Sequence, residues 1–190
     1  MDESVKAVLA DGDLVAVYAH RPVPGTDLGV AVVDIYRVAD RAVSARWTVT
    51  RAVRGSVDEF DGVDRRTPTD PATRSANREL VDRMQRVLFI EHRVDEALDA
   101  YFGPDRYRQH APGAADGVAF IREGFRQRFR EHPRATSRLL HLIAEDDLVL
   151  THRRSRLGPD HPLRAVCDIY RIEDGRIVEH WDVTEHLVAS

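Results

Sequence analysis

The chain contains an internal repeat whose two copies lie at opposite ends of the sequence. The segment DLVAVYAHRPVPGTDLGVAVVDIYRVADRAVSARWTV (13–49) returns without a gap as DLVLTHRRSRLGPDHPLRAVCDIYRIEDGRIVEHWDV (147–183). Asp34 aligns with Asp168 and Trp47 with Trp181, a constant offset of 134 positions. A repeat of this kind indicates two copies of one structural unit and takes precedence over residue-level prediction.

The two copies differ in what precedes them. A long helical region lies before the second copy, whereas the first copy begins almost at Met1. We therefore predict a half-domain of strands over residues 1–53 and a complete domain over 75–190. Residues 54–74 carry charge, Gly and Pro without any periodicity, which favours a linker.

The complete domain is predicted to place its helices before its strands. Apolar residues at three-and-four spacing indicate helix from Ser75 to Phe102, with a break near His92. A second helix is expected after Asp116-Gly117 and ends at His132-Pro133. Strands are predicted from about residue 137 onwards. This order is typical of an α+β fold with helices on one face of an antiparallel sheet.

Composition excludes several classes of protein. With 43% hydrophobic and 32% charged residues the chain can bury a core. The net charge of −4 offers no basic field for nucleic acid or anionic lipid, and no apolar run approaches the length of a membrane span. A single cysteine rules out an internal disulfide, and the acidic start is unlike a secretory signal. We expect a cytoplasmic protein with neither nucleic-acid nor membrane partners.

Asp174-Gly175, between two alternating strands, predicts a two-residue hairpin turn. Without a bulge, that turn sets Asp168 directly opposite Trp181, and Tyr170 opposite Glu179. Asp168, Tyr170 and Trp181 would then share the more apolar face, which we expect to lie against the helices. A bulge would shift the pairing by one residue. In this register His180 falls on the opposite face, at a surface or subunit contact.

A carboxylate among Val, Tyr and Trp should have a raised pKa, because desolvation penalises its charged form. That property would suit Asp168 for acid/base chemistry near neutral pH. A structural role is also open, since Asp34 and Trp47 repeat the same pairing in the first copy.

Two histidines are further candidates. His152 is expected to point inward at the end of an apolar row, and His110 lies in a loop between helices. A lone inward histidine is usually a satisfied core group, so only convergence with Asp168 would favour catalysis. No set of Cys and His has zinc-site spacing, and we expect no metal.

The motifs YRQHAPGAADGVAFI and AVCDIYRIEDGRIVEHWDV together resemble the SnoaL-like polyketide-cyclase family of the nuclear-transport-factor-2-like superfamily. The resemblance covers about residues 75–187, and residues 5–53 resemble the late half alone. It implies a conical α+β barrel whose helices close a curved sheet over a pocket.

The resemblance also implies roles for residues. Asp168 would be the acid/base of a reaction without metal or cofactor, and His110 and His152 would orient the substrate. Four side chains would form the pocket wall: Tyr107, Tyr170, Trp181 and Phe120. Because the superfold hosts many activities, we hold two hypotheses. One is a cyclase- or isomerase-type enzyme acting on a small hydrophobic carbonyl compound; the other is a non-catalytic binding or structural protein.

The half-domain raises a separate expectation. Its strands carry apolar residues that no helix of its own can cover, and exposed apolar sheets are poorly tolerated. We expect it to pack on the sheet of the complete domain as an intramolecular pseudo-dimer, or to recruit a second chain as a homo-oligomer.

Overall fold

A computed structural model describes residues 3–24, 28–53 and 57–187. Four strands come first: β1 (Ser4–Asp11), β2 (Leu14–Arg21), β3 (Val30–Ala39) and β4 (Ala42–Ala52). Three helices and one short strand follow: α1 (Pro71–Phe89), α2 (Val94–Tyr101), β5 (Arg108–Gln109) and α3 (Val118–Glu131). Four strands end the chain: β6 (Thr136–Glu145), β7 (Leu148–Arg156), β8 (Arg164–Glu173) and β9 (Arg176–His186). This order confirms the α+β class.

The strands form two sheets. One has the order β1-β2-β3-β4, and the other β5-β9-β8-β7-β6, antiparallel except where β5 joins β9. Within the described residues neither sheet closes on itself into a barrel, and helices cover one face of the five-stranded sheet. None of the described helices has the length and apolar character to cross a bilayer.

The two copies of the repeat form the same four-stranded unit. Strands β3 and β4 lie 134 positions before β8 and β9 at both ends. Each unit has two register shifts, and the shifts of the second unit lie 134 positions after those of the first. The first unit has them at Val5/Ala7 and Arg37/Val38, and the second has them at Leu139/His141 and Arg171/Ile172. Conserved bulges bend and twist a sheet in a defined way, so the copies share their curvature as well as their sequence.

The molecule has three layers. Between the sheets lies an apolar core that includes Leu9 and Ile35 from the first sheet and Leu150, Ile169 and Trp181 from the second. A second core lies between the other face of the five-stranded sheet and the helices. The five-stranded sheet is therefore buried on both faces, which explains the near-continuous burial of β7 and β8.

The segment predicted as a linker is packed in part. It contains a short 3-10 helix (Val57–Phe60), and Phe60 and Val63 are buried in the core between the sheets. Helix α1 begins earlier than the Ser75 expected, at Pro71, because Asp70 caps it by accepting from the backbone N–H groups of Ala72 and Thr73. Residues 54–56 of the segment lie outside the described residues.

The hairpin turn is confirmed, but the pairing beyond it is wrong. Asp174 and Gly175 both have positive φ, and Ile172 pairs with Ile177 as expected. The bulge at Arg171/Ile172 then shifts the register by one residue. Asp168 consequently lies opposite Asp182, not Trp181.

Candidate active site

A cavity of about 260 Å³ lies between the five-stranded sheet and the helices. Its apolar wall consists of Leu88, Phe89, Phe102, Phe120, Ile121, Phe125 and Val166. Its polar wall consists of Tyr107, Gln109, Arg128, Arg153, Arg164, Asp168, Tyr170, His180, Asp182 and Thr184. Enclosed, mostly apolar pockets with a few converging polar groups are typical of small-molecule sites.

Asp168 faces this cavity, as expected, but its charge state differs from the prediction. Its Oδ2 accepts from Arg153 Nε at 2.9 Å, and its Oδ1 lies 3.1 Å from His180 Nε2. Burial by itself would raise the pKa of Asp168, but the Arg153 charge and the bonds from His180 and Arg153 outweigh it and hold the pKa well below its usual range. The predicted raised pKa is wrong, and Asp168 is a carboxylate throughout the neutral range.

His180 connects Asp168 to the edge of the sheet. Its Nδ1 lies 2.7 Å from Gln109 Oε1, which also accepts from the backbone N–H of Ala111. Both ring nitrogens of His180 therefore face oxygen atoms that can accept a hydrogen bond, and the tautomer decides which nitrogen donates. The expectation that His180 lies on the opposite face is wrong because of the one-residue shift at the bulge.

Tyr107 ends this chain of hydrogen bonds. Gln109 Nε2 donates to the Tyr107 hydroxyl at 3.0 Å. Burial, reinforced by the charges of Asp168 and Asp182, raises the pKa of Tyr107, so its phenol stays protonated. No described residue accepts the phenolic proton, which leaves it free for a ligand in the cavity. Tyr107 thus lines the pocket as predicted.

The other predicted wall residues divide between two faces of the sheet. Tyr170 lines the cavity, stacks on His180 and accepts from Gln85 Nε2 at 3.2 Å. Phe120 lies at the rim and is 48% exposed. Trp181 is fully buried, but it lies in the core between the sheets and donates to the backbone oxygen of Asp61 at 3.1 Å. The prediction that Trp181 lines the pocket is wrong, because the one-residue shift at the bulge turns its side chain to the other face of the sheet.

The two other predicted histidines do not join Asp168. His110 lies on the face of the five-stranded sheet that is opposite the cavity. Its ring stacks on that of Trp181 with the ring centres 4.8 Å apart, and its Nε2 lies 2.8 Å from Glu179 Oε1. Glu179 in turn accepts from Arg171 Nε at 2.8 Å, so His110 belongs to a buried ionic network. This placement puts His110 outside the cavity.

His152 lies between the two sheets. It is opposite Cys167 in the ladder and is 3.0 Å from His141 through their Nδ1 atoms. Burial, aided by His141 and Arg154, lowers the pKa of His152 to about 4. The His141 ring lies 4.2 Å from that of Trp47 in the first sheet, tilted by 51°. The predicted convergence of Asp168, His110 and His152 is absent. Within the described residues there is also no group of three His, Cys, Asp or Glu placed to hold a metal ion.

Asp182 is a cavity residue that sequence reasoning missed. Its Oδ2 accepts from Thr184 Oγ1 at 2.9 Å, and within the described residues it pairs with no cation. It is half-buried, whereas Asp168 is almost fully enclosed. Asp182 therefore presents a more accessible carboxylate than Asp168. A search for inward residues in both possible registers of the hairpin would have found His180 and Asp182.

Arginines form one end of the cavity. Arg153 pairs with Asp168, and its guanidinium lies 4.1 Å from the ring centre of Phe89. Arg128 from α3 and Arg164 from β8 have no ion-pair partner among the described residues. Burial, together with the neighbouring arginines, lowers the pKa of Arg128 to about 10 and also lowers that of Arg164.

The fold is shared with several solved structures. A proposed polyketide cyclase from Acidithiobacillus ferrooxidans has 20% identity and a TM-score of 0.50, with 58% of this chain and 88% of that chain covered. IdmH, a proposed polyketide cyclase from Streptomyces antibioticus, has 18% identity and a TM-score of 0.50, with 57% and 91% covered. A SnoaL-like protein of unknown function from Burkholderia thailandensis has 18% identity and a TM-score of 0.51, with 63% and 99% covered. At these identities the likeness concerns the fold.

No curated protein matches the chain significantly. A profile of the SnoaL-like domain family does match, over residues 81–180. The match runs from α1 to the middle of β9 and includes the first motif of the resemblance and the second as far as His180. It covers more than half of the chain, and the chain belongs to the SnoaL-like domain family.

Proposed function

We propose that this protein is an enzyme that abstracts a proton next to a carbonyl group of a hydrophobic small molecule, using only its own side chains. The observation that carries the proposal is the directed hydrogen-bond chain Asp168–His180–Gln109–Tyr107, which ends in a free phenolic proton inside a largely apolar cavity. Asp168 accepts at one end of this chain and Gln109 donates to the Tyr107 hydroxyl at the other, and such networks polarise their members.

Tyr107 is the electrophilic group in this proposal. Its O–H donates to the substrate carbonyl oxygen and stabilises the enolate that forms. His180, held in place by Asp168, fixes the position of Gln109, which in turn orients the Tyr107 phenol. Asp168 is thus a positioning residue, because Arg153 and His180 already occupy its two oxygens.

Asp182 is the base in this proposal. Its carboxylate lines the same cavity, lies opposite Asp168 in the ladder and is bound only by the Thr184 hydroxyl among the described residues. It takes the proton from the carbon next to the carbonyl and returns it to the product carbon or oxygen. This assigns Asp182 the acid/base role that the sequence suggested for Asp168.

The test is deuterium exchange at enolisable positions, followed by NMR in D₂O with a panel of aromatic and alicyclic ketones. Tyr107→Phe and Asp182→Asn should each slow exchange by roughly two to three orders of magnitude, as is typical when an oxyanion donor or an acid/base group is removed. Tyr101→Phe, in α2 and outside the cavity, and the exposed Asp160→Asn are the matched controls. Exchange should persist after dialysis against EDTA. Equal exchange in wild type and in both variants would overturn the proposal.

One observation favours a second candidate, a non-catalytic binding protein. Asp34 in the first copy is buried and paired with Arg46 and Arg21, although no helix among the described residues covers it. The paired carboxylate is thus compatible with a structural role in either copy. If ligands bind in the cavity but no carbonyl compound exchanges deuterium, this candidate replaces the enzyme.

We further propose that the N-terminal strands derive from the late half of a SnoaL-like domain and act as an intramolecular pseudo-dimer partner. The equal offsets of strands and bulges support this origin. Contacts between the sheets support the role: the backbone N–H of Thr50 donates to Glu185, and that of Ala144 to Asp11, both at 3.1 Å.

A further inference from the structure

The arginine end of the cavity contains polar atoms with no partner in the protein. Arg164 Nε and Ser155 Oγ are both buried and make no hydrogen bond with the described residues. These two residues lie directly opposite each other in the β7–β8 ladder, so their side chains leave the same face of the sheet. Two neighbouring buried polar atoms without a protein partner cost free energy, and in native proteins such groups are normally satisfied by a water, an ion or a ligand.

Helix α3 adds a third group to the same place. Arg128 lines both the main cavity and a narrow cleft of about 20 Å³ that continues from it, and Arg153 and Arg164 line both as well. The Arg128 guanidinium lies 5.1 Å from the centre of the Phe125 ring, which holds it over an apolar surface instead of in solvent. The cleft also reaches Ser155.

The charges at this end do not balance. Three guanidinium groups, those of Arg128, Arg153 and Arg164, face two carboxylates, those of Asp168 and Asp182. Arg153 forms an ion pair with Asp168, and the Asp182 carboxylate accepts only from the Thr184 hydroxyl among the described residues. Burial, together with the nearby charge of Arg153, disfavours the charged forms of Arg128 and Arg164 and lowers the pKa of both. A bound anion would reverse that effect.

We propose that Arg128 and Arg164, with Ser155, bind a carboxylate group of the substrate. This inference deepens the proposed function, since it concerns the same cavity and defines the substrate as a hydrophobic carboxylic acid. The planar fork of a guanidinium matches a carboxylate in two parallel hydrogen bonds, and the Ser155 hydroxyl supplies a further donor. The carboxylate then lies at the arginine end, and the aromatic wall encloses the rest of the molecule.

Binding of paired probes tests this without any turnover. The probes are 2-naphthoate, its neutral counterpart 2-naphthamide, and 2-naphthyl phosphate, measured by isothermal titration calorimetry with the full chain. Naphthoate should bind about 10- to 100-fold more tightly than naphthamide, the range expected for hydrogen bonds to charged groups. Arg128→Gln and Arg164→Gln should each remove most of this preference.

Arg130→Gln is the matched control, because Arg130 lies on the same helix but is exposed. It should keep the preference for naphthoate. A second readout is the melting temperature without ligand: Arg164→Gln should melt no lower than wild type, since it removes a half-buried charge that has no ion-pair partner among the described residues. A purely structural Arg164 would instead lower the melting temperature.

Four results would overturn the proposal: equal binding of naphthoate and naphthamide, an unchanged preference in both variants, tighter binding of the phosphate, or no naphthoate binding at millimolar concentration. Its failure is distinguishable from failure of the enzyme proposal. Tyr107→Phe and Asp182→Asn should slow exchange while keeping the preference for naphthoate, whereas the arginine variants affect that preference directly.

Discussion

Equivalent aspartates in the two sheets have partners that differ in their exposure to solvent. Asp34 and Asp168 occupy equivalent positions, and each is almost fully buried and held by cations and a threonine hydroxyl. Asp34 is paired with Arg21 and Arg46, whose side chains are 36% and 50% exposed. Asp168 is paired with Arg153, which is buried beneath the helices.

The difference lies in what covers the sheet. Helices α1–α3 close the face that carries Asp168 and leave a cavity over it, whereas no described helix covers Asp34. Burial by itself would raise the pKa of Asp34, but Thr48 and Arg46 outweigh it and lower that pKa as well. The four-stranded unit thus retains an ion-paired carboxylate with or without a cavity. What makes the second copy a candidate site is the surrounding set of His180, Asp182 and Tyr107.

The largest expected effect comes from removing the first copy. A chain that begins at Thr69 keeps the Asp70 cap of α1 but exposes the outer apolar face of the second sheet, including Leu150, Ile169 and Trp181. Exposed patches of that kind drive association. We expect aggregation or dimerisation by size exclusion with light scattering.

The matched control for that experiment adds Leu150→Thr and Ile169→Thr to the shortened chain. If the exposed apolar face causes the association, these changes should restore part of the solubility. A shortened chain that is monomeric and as stable as the full chain would show that the first copy is dispensable and would contradict the pseudo-dimer proposal.

The next effect contrasts the two carboxylates directly. Asp168→Asn leaves Arg153 buried and unpaired and should lower the free energy of unfolding by about 3–5 kcal/mol. Asp34→Asn leaves Arg21 and Arg46 in contact with solvent and should cost about 1 kcal/mol or less. Urea unfolding followed by circular dichroism measures both.

The double variant Asp168→Asn/Arg153→Met is the control, because it removes both charges of the buried pair. It should recover much of the lost stability. Equal losses for Asp34→Asn and Asp168→Asn would mean that the helices do not alter the energetics of the pair.

The smallest effect concerns the histidine at the contact between the copies. His152 replaces Tyr18 of the first copy, and its folded-state pKa of about 4 lies below the ordinary value of 6.5. A lowered histidine pKa stabilises the fold above pH 6.5 relative to lower pH, because the unfolded chain binds the proton first. Lowering the pH from 7.5 to 5 should therefore reduce the free energy of unfolding by about 2 kcal/mol through His152.

The variant His152→Gln lacks this titrating group. Over the same pH interval the variant should therefore lose about 2 kcal/mol less of its free energy of unfolding than wild type. His141, whose pKa is also lowered by burial and by Arg37, contributes in the same direction and remains in the variant. The exposed His186→Gln is the matched control and should follow wild type. Parallel pH dependence in wild type and His152→Gln would contradict the assignment.

The sequence by itself determined the family, the α+β order of elements, the repeat and the Asp174-Gly175 turn. These features depend on local periodicity, on turn residues and on motifs, which are properties of short segments. It also predicted that Asp168, Tyr107 and Tyr170 face one cavity. Only the tertiary structure decided which other residues join them.

The physical reason is the period of a strand. The one-residue shift at the Arg171/Ile172 bulge moves every later side chain of β9 to the other face of the sheet. It therefore brings His180 and Asp182 into the cavity and places Trp181 outside it. The low pKa of Asp168 likewise depends on Arg153, a neighbour on another strand that no local pattern identifies. The register and charge partners of this site are long-range properties, and they are decided when the sheets and helices pack together.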